Sequence, residues 1–310
     1  PMGVYAPIAS PSGVAFFGRD PRSSEQVWSR ELGYPGDPAY REYYRDIGFD
    51  LSGDELLGEE GPFGARVPTG LKYHRVTHAQ ASLADKQLYE AGRARMRAFE
   101  HAEQFVADRL AHARELELGW PLASPPIIVA PYDAELFGHW WFEGPWFLEG
   151  IFRALARPEI AAALHATTLR QRLRRHPAMI EATPSASTWG EGASGAVWID
   201  ATNASLWRHV HHATAIAIRM AKEARSDDAP ELAAARRQLA IEAMLLQASD
   251  WPFILKTRTA EGYANARTRA HVARIRKLAA MIDAGRIDAA IVDDLARRDD
   301  FLRPRASLPA

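Results

Sequence analysis

The 310 residues are 47% hydrophobic and 25% charged with a formal net charge of −1, which suits one large globular domain or two smaller ones. Near-neutral charge leaves no electrostatic basis for binding nucleic acid or an anionic membrane. The absence of Cys excludes disulfides, thiolate metal sites and a Cys nucleophile, and suits a reducing compartment such as the cytoplasm.

No apolar run is long enough to span a bilayer, and no basic segment followed by an apolar one opens the chain as a signal peptide would. Pro1 precedes Met2 and strand-like residues follow at once, as expected of a chain cut within a larger protein. In chain order, Val4–Ile8 is predicted as a short strand and SPSG (10–13) as a turn. FFGRD (16–20) places Arg19 and Asp20 in a loop before a short helix, capped by Ser23 or Ser24, that carries Val27 and Trp28. GYPGDP is a Gly/Pro turn cluster, and Tyr40, Tyr43 and Tyr44 follow at helical spacing, which predicts packing. Residues 51–68 predict a surface loop and Leu71–Thr77 a strand. Gln80 to Glu117 predicts one long, interruptible helix with Leu88, Met96, Phe99, Phe105 and Leu110 on its stripe.

The stretch from Pro125 to Trp146 holds the densest chemistry. Ile127–Ala130 is a short apolar run rich in β-branched residues, which predicts a buried parallel strand. Asp133, Glu135, His139, Trp140, Trp141 and Trp146 follow it, and ionisable and aromatic groups just past a buried strand are the usual layout of a site in α/β proteins. Nine Trp are present, and several stand beside polar residues or Gly, where indoles can stack on sugars as well as pack.

A helix is expected over Phe147–Arg157. LRQRLRRH, capped by Thr167 or Thr168, is expected to carry its four Arg on a solvated face. Pro184 to Gly195 is a loop around Trp189. From Trp198 onward the pattern is helical at 203–223, 229–249 and 257–285. Leu232, Leu239 and Leu246 form an apolar stripe, and Glu242 beside it is expected to be buried and paired. The composition shift near 190–200 divides an α/β part (1–192) from an all-α part (193–310).

Seven motifs resemble, in order, the α-1,4-glucan branching enzymes of glycoside hydrolase family 57. They are GVAFFGRD (13–20), SSEQVWS (23–29), GYPGDPAYREYYRDIG (33–48), TGLKYHRVT (69–77), PYDAELFGHWWFEGP (131–145), TPSASTWGEG (183–192) and ASDWPF (248–253). The resemblance implies the distal part of an incomplete (β/α)7-type barrel, then an all-α C-terminal domain. It implies a retaining transfer of α-1,4-glucan chains to 6-hydroxyls, making α-1,6 branches in a glycogen-like glucan, with no cofactor. The alternatives are an amylase-like hydrolase of the same family, or a non-catalytic glucan-binding protein or inactive fragment.

Retention needs two carboxyl groups about 5 Å apart, one attacking the anomeric carbon and one protonating the leaving oxygen. Asp133 suits the general acid/base, and the resemblance assigns it that role. The resemblance places the nucleophile Glu upstream of the matched region, so the isolated chain is expected to be inactive, with Glu135 structural or orienting. Arg19 and Gly36 match substrate-contacting positions; Trp28, Trp189 and Trp198 match glucan-stacking positions; Asp250 matches a sugar-binding one. Thr259 departs from the family, which commonly presents Gln there. His209, His211 and His212 form an incomplete ligand set, and no metal is expected.

Overall fold

The computed structural model describes residues 2–28, 33–52, 55, 66–188 and 190–299, and divides into two compact units, Pro1–Pro184 and Ser185–Ala310. The structure is mainly helical with one small sheet. No described helix is long and apolar enough to cross a membrane.

In the first unit a 3-10 turn, Gly3–Tyr5, replaces the start of the expected first strand, and β1 is confined to Ile8–Ala9. β1 pairs antiparallel with β2 (Ala15–Phe16; Ile8 opposite Phe16) and parallel with β3 (Ile180–Glu181; Ile8 opposite Ile180), giving the order β2-β1-β3. The expected strand at Ile127–Ala130 is not one. The N–H of Ile127 donates to Tyr5 O (3.0 Å) and the carbonyl of Val129 accepts from Asp20 N (2.8 Å). One bond to each of two loops fixes an extended segment without a ladder, and within it Ile127 is buried while residues 128–130 are half-buried. Leu71–Thr77 likewise holds only isolated bridges, Arg41 with Arg75 and His74 with Leu88.

α1 (Pro21–Trp28) starts earlier than expected because the buried Asp20, not Ser23 or Ser24, caps it, with Oδ2 accepting Ser23 N at 2.8 Å. α2 (Ile47–Asp50) is a single turn capped by Asp46. α3 begins only at Ala91 and runs to Glu117; Gly119, at φ +84°, then takes the left-handed conformation that ends such a helix.

The face α3 buries matches the expected stripe only in part: Phe105 is buried and Phe99 and Leu110 are half-buried. Leu88, before the helix, and Met96, on it, are exposed, while Ala94, Ala98, Ala102 and Phe105 are buried. Small residues let α4 (Gly144–Leu155) approach closely: a Cβ on Gly150 would stand 2.6 Å from the Cβ of Ala102. The core between them holds Tyr40, Leu136, Trp141 and Phe147, each large ring worth roughly 1.5–3 kcal/mol of burial. α5 (Pro158–Ala161) and α6 (Leu169–Arg175) follow, and Thr168 and Gln171 cap α6 reciprocally. Arg172 of α6 is buried rather than solvated, donating to the carbonyls of His176 (3.1 Å) and Pro125 (3.2 Å).

The second unit packs α7 (Ala204–Lys222), α8 (Pro230–Leu246), α9 (Asp250–Thr257), α10 (Glu261–Asp283) and α11 (Ala289–Arg298) around Leu239, Leu246, Ile275 and Leu278. Glu242 is wholly buried and paired, as its place beside the leucine stripe predicts. Nδ1 of His271 lies 2.6 Å from its Oε2, Gln238 donates to its Oε1 (3.1 Å), and Arg274 approaches at 3.4 Å.

Candidate functional site

Asp20 anchors the start of the site in the first unit. Besides capping α1 it accepts from Tyr5 Oη at 3.0 Å. Burial pushes its pKa up, but the bonds from Ser23 and Tyr5 and the nearby Arg109 outweigh that and hold the carboxyl below its ordinary range. Gly18 lies so close to Val4 that a Cβ would meet it at 2.6 Å, so the backbone entering Arg19 has no room for a side chain. Arg19 itself is exposed, and Trp28, at the far end of α1, is half-buried.

The hydroxyl of Tyr132 donates to Ser23 O at 2.8 Å and fastens the next segment to the same helix. Asp133 follows, capping the 3-10 turn Ala134–Leu136 through its carbonyl, with Leu136 N at 3.2 Å. Its carboxylate is exposed and has no hydrogen bond or ion pair among the described residues. Glu135 is also exposed, and its carbonyl receives His139 N (3.3 Å) and Trp140 N (3.1 Å), which folds the loop back on itself. Gly138, at φ +109°, makes that reversal, and a Cβ on Gly144 would stand 2.7 Å from Phe137 Cα.

This fold sends consecutive rings opposite ways. Trp141 enters the core against Tyr40 and Phe147, while Trp140 faces solvent, with its ring centroid 6.4 Å from that of Trp28. The indole N–H of Trp28 is buried without a hydrogen-bond partner among the described residues. The 3-10 turn Tyr34–Gly36 packs on α1 and leaves Gly36 exposed at its end. Thus Trp28 is brought beside the Asp133 loop, and Gly36 stands on a turn packed against the Trp28 helix.

Glu143 carries no expectation from the sequence, yet it lies wholly buried at the end of this loop. Its Oε1 accepts from Arg41 N at 3.0 Å. Burial raises its pKa above the ordinary value, while Tyr89 and the Arg41 N–H work against that shift. The Tyr89 hydroxyl stands near the carboxyl without an aligned hydrogen bond, and Oε2 has no other partner among the described residues.

The second unit holds the other candidates. Trp189 lies outside the described residues. Trp198 is half-buried; its carbonyl accepts from Trp207 Nε1 (2.9 Å), and its ring packs so near Gly190 that a Cβ there would lie 2.9 Å away. Asp250 opens α9 rather than ending α8, so its exposed carboxylate sits at a positive helix end. The buried Asn203 ties the two regions, donating to Val197 O (3.3 Å) and Pro252 O (3.2 Å), and Lys256 bridges to Asp200. Thr259 is held to Thr257 hydroxyl to hydroxyl at 3.1 Å.

His209, His211 and His212 ride on α7 and belong to no described group of metal-like spacing. The one described group with metal-like spacing is Glu242, His271 and Asp299. There the Arg274 guanidinium lies 3.4 Å from Glu242 and 2.7 Å from Asp299, so a cation already stands between the carboxylates.

Residues 209–304 match the family model described as 1,4-alpha-glucan branching enzyme, C-terminal. The chain is 31% identical to a 1,4-alpha-glucan branching enzyme of Thermococcus kodakarensis, over 94% of this chain and 40% of the relative. It is also 31% identical to a probable 1,4-alpha-glucan branching enzyme of Mycobacterium tuberculosis, over 89% of this chain and 49% of the relative. Among solved structures it matches an alpha-amylase of Thermotoga maritima (TM-score 0.79, 39% identity, 98% of this chain, 56% of that one). It also matches a branching enzyme of this type from Pyrococcus horikoshii (TM-score 0.78, 28% identity, 98% and 53%). The chain spans about half the length of the relatives it matches. Its sequence relatives are 1,4-alpha-glucan branching enzymes, and the solved structures it matches include branching enzymes of glycoside hydrolase family 57.

Proposed function

We propose that this chain supplies the general acid/base and much of the glucan-binding surface of a retaining α-1,4-glucan branching enzyme. The observation that carries the reading is the exposed, unpaired carboxylate of Asp133 on a loop pinned to α1, with Trp28 and Trp140 paired beside that loop. A carboxyl in this position can protonate a departing glycosidic oxygen and then draw the proton from an incoming 6-hydroxyl, so that the chain passes to a branch point. The attacking carboxylate is supplied by a Glu upstream of the matched motifs, and Glu135 orients the loop through its carbonyl.

Arg19, Trp28 and Gly36 bind glucan in the first unit, and Trp189, Trp198 and Asp250 bind it in the second. Residues 1–192 correspond to the distal strands and helices of an incomplete (β/α)7-type barrel, and 193–310 to a helical C-terminal domain. The substrate is a glycogen-like polysaccharide of the cytoplasm, a reading supported by the branching-enzyme relatives and the cysteine-free composition. Transfer rather than hydrolysis requires that water be kept from the glycosyl-enzyme while an acceptor chain is held.

The reading is tested by incubating amylose with protein that contains this chain and counting new α-1,6 linkages, released by a debranching enzyme, against new reducing ends. Branches in excess of reducing ends are expected. Reducing ends without branches would establish the second reading, an amylase-like hydrolase, which the match to the Thermotoga maritima amylase favours.

A further inference from the structure

Beside Trp28 and Trp140, three more rings continue the same row. His139 lies 6.2 Å from Trp140, Tyr43 lies 6.2 Å from His139, and Tyr44 lies 5.3 Å from Tyr43, centroid to centroid. The row crosses between two loops, one carrying Asp133 to Glu143 and the other Asp37 to Asp46. Tyr43 and Tyr44 are not the helical packing stripe that their spacing with Tyr40 predicts, because residues 40–46 form no helix. Tyr40 is 0% exposed, whereas Tyr43 is 40% and Tyr44 74% exposed; Trp141 is 2% exposed and Trp140 42%. On each loop, then, one aromatic ring fills the core and its neighbours are left in solvent. Solvent-facing rings gathered in a contiguous row mark a binding surface.

The row is held in place. Arg41 N–H on Glu143 joins the two loops at 3.0 Å. Lys72 stands 5.8 Å from the centre of the Tyr43 ring and is itself fixed on Asp46 at 3.1 Å. The ring planes also turn from one to the next: 58° from Trp28 to Trp140, 48° to His139, 89° to Tyr43 and 89° to Tyr44. A flat β-1,4-linked ribbon needs coplanar rings to stack on several at once. An α-1,4-linked chain curls, and so presents successive sugar faces at changing angles.

We propose that Trp28, Trp140, His139, Tyr43 and Tyr44 form one continuous stacking platform for a curling α-glucan chain, with the two tyrosines as its outer end. The proposal rests on the glucan reading above and extends it to a specificity for chain length. Short oligosaccharides engage the indoles, and only longer ones reach Tyr43 and Tyr44.

The test is calorimetric titration of protein that contains this chain with maltotriose, maltoheptaose and celloheptaose, for the unaltered sequence and for Tyr43→Ala, Tyr44→Ala and Tyr44→Phe. Both rings are exposed, so the variants should keep the fold, which circular dichroism checks. The alanine variants are expected to bind maltoheptaose about threefold to tenfold more weakly each, with maltotriose changed less than about twofold. Tyr44→Phe should bind as the unaltered chain does, and celloheptaose should bind far more weakly than maltoheptaose. Maltoheptaose bound equally by the unaltered chain and both alanine variants would overturn the platform while leaving the glucan reading intact, and so would equal losses for both maltooligosaccharides. If the unaltered chain binds no maltooligosaccharide, the glucan reading fails and the platform with it.

Discussion

The backbone N–H of Arg41 donates to Oε1 of Glu143 at 3.0 Å, and that one bond ties the loop bearing Tyr43 to the loop bearing Asp133. The carboxyl sits in a wholly buried place, so the native state holds its proton more tightly than the unfolded chain does. A raised folded pKa makes stability greatest below the ordinary value of 4.5 and lowers it as pH rises from there through the folded value. Glu143→Gln keeps the acceptor for Arg41 and cannot ionise, so it should flatten that decline. Urea midpoints measured from about pH 5 to about pH 8 check this. Glu143→Ala removes the acceptor and should cost about 1–3 kcal/mol throughout.

Asp46 is expected to behave in the opposite sense. Its buried carboxylate accepts from Gly48 N (2.9 Å), Thr69 N (3.0 Å), Thr69 Oγ1 (2.7 Å) and Gly70 N (2.9 Å), and Lys72 lies at 3.1 Å. Burial pushes its pKa up, but these donors overcome that and hold it well below the ordinary 3.8. The stability it supplies is therefore present above that value and lost as pH falls through the folded pKa. Asp46→Asn keeps the size but loses the charge and should cost about 2–3 kcal/mol at neutral pH, measured by urea denaturation. Since Asp46 also fixes Lys72 against Tyr43, the same variant should weaken maltoheptaose binding.

In the second unit the pair to break is His271 and Glu242. Arg267 Nη2 faces His271 Nε2 at 3.3 Å and can only donate, so Nε2 accepts and the ring proton lies on Nδ1 toward Glu242. Burial works to raise the pKa of Glu242, and the bonds from His271 and Gln238 with the charge of Arg274 keep it lowered. His271→Ala leaves a buried carboxylate short of a partner and should cost about 3 kcal/mol at neutral pH, with a smaller penalty in acid as Glu242 takes up a proton. Equal penalties at both pH values would show that packing, not the pairing, is what His271 supplies.

The long helices α7, α8 and α10 were legible because apolar residues recur along them, whereas the shorter α9 and α11 carried no expectation from the sequence. Glu242 could be foreseen as buried from its place beside Leu239 and Leu246. The first unit was harder. Ile127–Ala130 has the composition of a buried strand, but a strand also needs neighbours, and which backbone lies alongside is a tertiary fact. The α3 stripe held at Phe105 but not at Met96, which points outward, because close helix packing selected alanines for much of the buried face. The dense PYDAELFGHWWFEGP stretch singled out Asp133 and the indoles as candidates. It could not disclose which of Trp140 and Trp141 turns inward, because a loop has no fixed side-chain period. Glu143 gave no signal either, since nothing in its neighbours distinguishes a buried carboxyl from a solvated one.

The central claim is that Asp133 transfers the proton, and the most direct measurement is Asp133→Asn in protein that carries the whole reaction. Asn keeps the shape and removes the exchangeable proton of an exposed, unpaired side chain, so folding and maltoheptaose affinity should stay within about twofold while transfer falls by about 10²-fold or more. Transfer within a few-fold of the unaltered protein would contradict the account, whatever the binding shows.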